Sequence, residues 1–224
     1  MKSIQCLFCG CNKLKSLNVS NFDTSHVTDM QFLFYNLTNL TSIDISNFNI
    51  QNIDSLKAMF YGCKNLISLD ISFLDTSKIK DFSYLFYGCS SLKSLYLLNM
   101  NTSSATNMTS LFYNCYNLES LDLTNFDTSS VTLMKWMLYH CYSIKSIKFP
   151  DNFNTSKVES MFSMFNNCKS LIYLNLSNFD TSKVTDMSFM FYNCYNLKYL
   201  DIPHFSPINL TKIANLFYNM SSLK

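Results

Sequence analysis

Cysteine is the residue type in this chain with the widest range of chemistry, and most of the nine cysteines recur at a constant interval. Thiols stacked in this way could form disulfides or bind a metal. However, Leu37 and Met220 occupy the same slot, and a slot that accepts both is apolar, a place where free cysteine is commonly buried. We therefore expect a column of buried thiols, with stacked disulfides and metal ligation as the alternatives. The column comprises Cys11, Cys63, Cys89, Cys115, Cys141, Cys168 and Cys194.

The Cys6-x-x-Cys9-x-Cys11 segment differs from the column because it precedes the first complete repeat and can be reached by solvent. A structural zinc site needs a second pair of ligands, which this segment lacks. We expect no metal there.

Catalytic chemistry has little support in the sequence. His26, His140 and His204 stand at unrelated positions of the repeat, so they cannot converge on one site. Glu119 and Glu159 are separated in the same way. We therefore predict no enzyme, no catalytic residues, no bound metal and no cofactor.

A second column, which is polar, consists of Asp or Asn followed in the sequence by Thr-Ser. Calcium would need several carboxylates and six or more oxygens, whereas this column offers about one group per layer. Ice binding would need a broad array of threonines, and each repeat supplies one at most. We expect turn-forming hydrogen bonds instead, with calcium or ice binding as a remote alternative. The column is Asp23, Asp75, Asn101, Asp127, Asn154 and Asp180.

These columns exist because the whole chain repeats with a period of 26 residues. Residues 1–13 resemble the second half of a repeat, and the sixth repeat carries one extra residue near Pro150. A fixed period of this length indicates a solenoid in which each coil contacts its neighbours. We predict one solenoid domain over residues 1–224, with coils 1 to 8 starting at Leu14, Leu40, Leu66, Leu92, Leu118, Ile144, Leu171 and Leu197.

Each coil begins with the pattern L-x-x-L-x-L-x-x-F, in which Leu17 and Val19 alternate as in a strand with one buried face. Thr28 and Asp29, which favour helix N-caps, then precede an apolar stripe with helical spacing at Met30, Leu33, Phe34 and Leu37. The prediction is an α/β repeat solenoid, similar to leucine-rich repeats, with one parallel strand and one short helix per coil.

The repeat L-x-x-L-x-L-S-N-F-D-T-S-x-V-T-D-M-x-x-M-F-Y-x-C resembles the roughly 25-residue repeat of bacterial surface proteins. That family is related to the BspA-like branch of the leucine-rich repeats, and the best matches lie at residues 22–30, 118–127 and 179–193. The resemblance implies display on a cell surface, adhesion or other binding, and no characteristic catalytic activity.

Two surfaces are candidate binding sites. On the solvent side of the predicted sheet, the residue between the two inward apolar positions forms one row. The resemblance to leucine-rich solenoids implies that this face binds partner molecules. The alternative is a solvated sheet face that binds no ligand. The row is Asn18, Asp44, Asp70, Tyr96, Asp122, Lys148, Asn175 and Asp201.

The second candidate is an aromatic stripe that follows the buried phenylalanine of each predicted helix and is interrupted at Asn166. Tyrosine is an amphipathic anchor at binding surfaces, but we favour the alternative, a half-buried ladder that seals the layer beneath it. The stripe is Tyr35, Tyr61, Tyr87, Tyr113, Tyr139, Tyr192 and Tyr218, with Trp136 at a neighbouring position.

Composition narrows the class of partner. The net charge is +2 and every basic residue is lysine, so the chain lacks the electrostatics and the arginines typical of nucleic-acid binding. No apolar run is long enough to span a membrane, and no signal-peptide core is present.

We therefore expect a binding or adhesion solenoid, displayed at the cell surface and part of a longer array, with a protein or glycan ligand. The alternative is an intracellular scaffold or self-assembling element in the cytoplasm. Because unprotected solenoid ends expose apolar side chains, we also expect end-to-end self-association.

Overall fold

A computed structural model describes residues 2–224 as a solenoid whose successive coils stack in parallel. Within these residues the strands are three residues long: β1 is Ser68–Asp70, β2 Ser94–Tyr96, β3 Ser120–Asp122, β4 Ser146–Lys148, β5 Tyr173–Asn175 and β6 Tyr199–Asp201. Each strand lies at the same position of its coil, centred on the leucine (isoleucine in β4) that the repeat pattern assigns to a strand. The predicted placement and parallel direction are confirmed for these coils.

The prediction of one strand in every coil is confirmed only for coils 3 to 8. The strands form three separate parallel pairs, β1-β2, β3-β4 and β5-β6, within the described residues. The equivalent segments around Leu17 and Ile43 are not strand. Because the strands are only three residues long, one or two hydrogen bonds decide whether the segments of neighbouring coils pair as strands. Coils 1 and 2 do not pair in this way, although the Thr41 amide donates to the Lys15 carbonyl at 3.3 Å.

A second parallel ladder runs elsewhere around the coil and is more continuous than the strand pairs. Its bridges link Ser55 to Asp81 and continue, one residue per coil, to Lys212. Ser3 and Asp29 form a further bridge of the same kind at the N-terminal end. This ladder, more than the strand pairs, fixes the register in which the coils stack.

The predicted short helix is also wrong, because residues 2–224 contain no α-helix. The segment over residues 30–37 consists of tight turns: the Leu33 amide donates to the Met30 carbonyl at 3.2 Å. The alternate amides of this segment point out of the coil, and that of Phe34 donates to Met59 of the next coil at 2.9 Å. Amides used between coils cannot close helical hydrogen bonds within a coil.

Two residues of each such segment have positive φ, as type II turns require at their third position. In coil 1 these are Phe32 and Asn36, both at φ 57°. A right-handed helix cannot pass through them. Asp29, predicted as a helix cap, instead accepts a hydrogen bond from the Gln31 amide at 3.0 Å and starts the first turn.

A single apolar core runs the length of the stack. Its phenylalanines lie over one another from coil to coil, with ring centroids 5.3 Å apart for Phe34 and Phe60 and 5.8 Å apart for Phe86 and Phe112. Each layer is therefore covered by the adjoining layers. Residues 2–224 contain no helix of the length and hydrophobicity that a membrane crossing requires.

Candidate binding surfaces

Six of the seven thiols of the column lie in the core, as predicted, whereas the prediction is wrong for Cys11, which is exposed in the partial first coil. Each buried Sγ donates a weak hydrogen bond to a backbone carbonyl of the preceding coil at 3.1–3.3 Å, as Cys115 does to Phe86. Burial raises the pKa of Cys63 and of Cys194 to about 12. Because the thiolate is the reactive form, these thiols are chemically quiet in the folded chain. The buried members are Cys63, Cys89, Cys115, Cys141, Cys168 and Cys194.

The N-terminal cysteines behave differently from the column. Cys6 and Cys9 form a disulfide, and Cys11 is a free, exposed thiol. Among the described residues, no group of three or more His, Cys, Asp or Glu side chains is placed to hold a metal ion.

The Asp-Thr-Ser column is structural, as predicted. Each Asp or Asn oxygen accepts a hydrogen bond from the backbone amide two residues later at 2.8–3.1 Å. The threonine that follows is buried and joins two coils: Thr128 Oγ1 donates to the Asn154 carbonyl at 2.7 Å and accepts from the Asn154 amide at 2.9 Å. These side chains are therefore engaged in hydrogen bonds that hold the turns and the stacked coils.

The polar residues of the strand face are used in a similar way. Asn18, Asp44, Asp70, Asp122 and Asn175 each accept a hydrogen bond from the amide two residues later at 2.8–3.0 Å. Such bonds favour the charged carboxylate, and those from Ser46 lower the pKa of Asp44, as those from Thr124 lower that of Asp122. The aspartates therefore end strands or strand-like segments with a turn.

Three tyrosines remain free to contact a partner on the strand face. Tyr96, Tyr173 and Tyr199 are 57%, 55% and 52% exposed. Tyr173 and Tyr199 are register partners on β5 and β6, and Leu98 is exposed two residues after Tyr96. Of these tyrosines only Tyr96 belongs to the row predicted from sequence; the other two belong to the flanking row, which is serine in most coils.

Lys148, another member of the predicted row on this face, is partly engaged. Its Nζ lies 3.7 Å from an Asp122 carboxylate oxygen across the β3-β4 pair. Both side chains are well exposed, so the pair contributes little to stability. Asp201 is exposed on β6.

The aromatic stripe is a continuous stack of rings over five coils. Ring centroids lie 4.7 Å apart for Tyr35 and Tyr61, and 4.4–4.5 Å apart along the steps through Tyr87 and Tyr113 to Tyr139. Each inner ring has both faces covered by its neighbours, so the stack presents ring edges and hydroxyl groups. Burial, and then the adjacent tyrosines, raise the pKa of Tyr61 to about 12.

The stack resumes beyond Asn166, where the centroids of Tyr192 and Tyr218 are 4.9 Å apart. Trp136 lies beside the stripe, with its ring edge-on to Phe162 at 5.4 Å. His140 packs on Tyr139 at 3.9 Å, and its Nδ1 lies 3.2 Å from the Tyr142 hydroxyl.

A groove of about 490 Å³, which was not predicted from sequence, lies beside the first part of the stripe. The groove follows Gly62 and Gly88, which leave two coils without a side chain, and Asn36 and Asn114 stand at its ends. The Asn114 carboxamide oxygen is buried and has no hydrogen-bond partner among the described residues. The sequence feature that could have predicted this groove is the pair Gly62 and Gly88, because the same repeat position is Asn or His in the other coils from coil 1 onward.

Many solved structures are similar to this chain, among them three leucine-rich repeat proteins of low identity. A leucine-rich repeat protein from Bacteroides ovatus is 20% identical (100% of this chain, 69% of that chain, TM-score 0.41). One from Eubacterium ventriosum is 19% identical (93% and 46%, TM-score 0.45). A leucine-rich cell surface protein from Faecalibacterium prausnitzii is 15% identical (98% and 74%, TM-score 0.39). These likenesses are too distant to carry function to this chain.

A search of curated proteins found no match. The family described as "Mycoplasma protein of unknown function, DUF285" matches residues 1–68, 55–148 and 143–224, which together cover the whole chain. This match confirms the resemblance seen in the repeat sequence. The chain therefore belongs to the DUF285 family of BspA-like repeat proteins.

Proposed function

We propose that this chain is a non-enzymatic binding solenoid that docks a partner protein on its strand face. The observation that carries the proposal is the exposure of Tyr96, Tyr173 and Tyr199 on that face, where most neighbouring polar groups are tied into turns. Tyrosine is enriched among the residues that dominate interface energies, because it buries a large apolar area and keeps one polar group.

The arrangement of these tyrosines suits a broad partner better than a small ligand. Tyr96 lies on β2 and Tyr173 on β5, three coils further along. At ~4.8 Å per coil, the two anchors are roughly 14 Å apart. A contact that reaches both anchors requires an extended partner rather than a single small molecule.

Display outside the cell is part of the same proposal. The family resemblance implies display on a bacterial surface. The Cys6–Cys9 disulfide supports this location, because disulfides persist in oxidising surroundings such as the cell exterior. Protease treatment of intact cells tests this location: a surface protein is degraded while a cytoplasmic marker survives.

The docking face is tested by screening the purified chain against arrays of proteins and glycans, and then comparing variants on each hit. We expect replacement of Tyr96, Tyr173 and Tyr199 together by alanine to weaken protein binding tenfold or more, as for interface hot spots. Tyr218→Ala, at a similarly exposed tyrosine of the aromatic stripe, is the matched control and should bind as the wild type. Unchanged affinity of the triple variant, or hits confined to glycans, would contradict the proposal.

A further inference from the structure

The gap in the aromatic stripe at coil 6 has the dimensions of one missing ring. Tyr139 in coil 5 and Tyr192 in coil 7 flank it, and coil 6 places Asn166 where the other coils place tyrosine. Two coil spacings of ~4.8 Å put the flanking rings roughly 9–10 Å apart. A planar ring midway would lie about 4.8 Å from each neighbour, a usual distance for aromatic pairs. The stacked rings of the stripe itself are 4.4–4.9 Å apart.

The gap is an open slot of about 310 Å³. This volume is near the lower end of the range for small-molecule sites. Trp136 and Phe162 line one side, and Phe189 lies near Tyr192 at the far wall. His140, which also packs against Tyr139, is not among the lining residues. The walls are therefore mostly aromatic.

The floor of the slot is polar, and its side chains are hydrogen-bonded to one another. Asn166 is 5% exposed, and its Nδ2 donates to Ser163 Oγ at 3.4 Å. Its Oδ1 accepts from Asn167 Nδ2 at 2.6 Å, and Asn167 Oδ1 accepts in turn from Asn193 at 3.2 Å. This chain of bonds holds the Asn166 side chain at the floor.

We propose that this slot binds one planar phenolic ring, such as the side chain of a tyrosine in a partner polypeptide. A sugar would bring several hydroxyl groups that need partners, and the amides of the floor are already bonded to one another. A phenol needs one such partner at most, and its hydroxyl can stand at the solvent edge as those of the stripe do. The site lies on a different surface from the strand face, and it does not depend on the proposed docking there.

Trp136, the only tryptophan of the chain, lines the slot and reports its occupancy. The experiment titrates the full chain with p-cresol, the side-chain analogue of tyrosine, while the Trp136 fluorescence is recorded. A non-planar probe of matched size, 4-methylcyclohexanol, serves as the comparison. We expect saturable quenching by p-cresol at roughly millimolar concentration, as suits so small a ligand. Affinity for 4-methylcyclohexanol should be at least tenfold weaker.

Two substitutions link the signal to the slot. Asn166→Tyr places the chain's own ring in the gap and should abolish saturable binding, whereas Asn152→Tyr adds the same ring at an exposed loop position and should leave it intact. If Asn166→Tyr does not fold, Tyr192→Ala removes one wall and should weaken binding at least tenfold. Equal quenching by both probes, or wild-type binding by Asn166→Tyr or by a folded Tyr192→Ala, would overturn the proposal.

The source of the ring is decided by a blocked Gly-Tyr-Gly peptide in the same titration. Competition of this peptide with p-cresol identifies a tyrosine side chain as an acceptable occupant. Binding of p-cresol without the peptide identifies free phenols as the ligands and overturns the polypeptide source.

Discussion

Individual side chains in this solenoid are either used within the fold or left free, and their slot in the repeat decides which. Asp70 and Tyr96 occupy the same slot in neighbouring coils and are register partners. Asp70 accepts hydrogen bonds from the Ser72 amide and hydroxyl at 2.9 and 2.6 Å, whereas Tyr96 stands exposed. A residue that departs from its column is therefore a better candidate for binding than one that repeats.

His140 is another departure, since its column is Asn or Gly in every other coil. Burial, and secondarily the charge of Lys169, lowers the pKa of His140 to about 4, against about 6.5 in an unfolded chain. Between these values the unfolded chain binds a proton that the folded chain does not, so stability falls as the pH drops from 6.5 towards 4. Because the ring is partly exposed, we expect a loss on the order of 1 kcal/mol.

Urea unfolding at several pH values between 7 and 4 measures this effect. His140→Asn, which installs the residue found in the same slot at Asn114, should lose less stability over this range than the wild type. The aspartates affect the stability of the chain only at lower pH. The pKa of Asp44, for example, is below its ordinary 3.8, so its contribution is present above 3.8 and is lost only below it. Parallel pH curves for the two proteins would show that His140 is not the group responsible.

The position of the strand within the coil could be predicted from sequence, whereas the tight turns were predicted as a helix. Alternation of Leu69 with Ile71 specifies a strand with one buried face, and β1 lies there. The spacing of Met30, Leu33 and Phe34 fits a helix, but two consecutive tight turns bury the same positions. Only the carbonyls of the next coil, which sequence spacing does not show, decide between the two conformations.

A local signal for the turns was nevertheless present in the sequence. From coil 1 onward the second positive-φ slot is always Asn, Gly or His, the residues that tolerate a left-handed conformation best. It comprises Asn36, Gly62, Gly88, Asn114, His140, Asn167, Asn193 and Asn219. For the candidate sites, the tyrosine column and its gap at Asn166 were visible in the sequence, whereas the mutual stacking that hides the ring faces was not.

Substitution at Gly88 tests this view of the turn element. Gly88 has φ 71°, and a Cβ placed there would come no closer than 3.7 Å to other atoms, so space does not limit the change. Gly88→Val should destabilise the chain by ~1–3 kcal/mol, because a β-branched residue is strained at positive φ. Gly88→Asn, with the residue common in this slot, should be clearly milder. Chemical denaturation followed by circular dichroism measures both, and equal losses would show that backbone strain is not the cause.

Across the whole molecule, the coils are joined by contacts between adjacent layers. Two sets of backbone hydrogen bonds, the threonine column and the thiol column all link residues about one repeat apart. In such a chain, stability is close to a sum of coil and interface terms, so opening can begin at either end of the stack. A central coil is separated from either end of the stack by more coils than an outer coil is.

The buried thiols permit a direct measurement of this gradient, because coils 2 to 7 each contain one of them. Native alkylation with iodoacetamide, followed by mass spectrometry of the peptides, gives a separate opening rate for each coil. Exposed Cys11 should react first. Among the buried thiols, Cys63 and Cys194 should be labelled faster than Cys115 and Cys141, because opening from an end breaks fewer interfaces. If all six buried thiols instead react at one rate that matches global unfolding, the coils open as a single cooperative unit and the nearest-neighbour description fails.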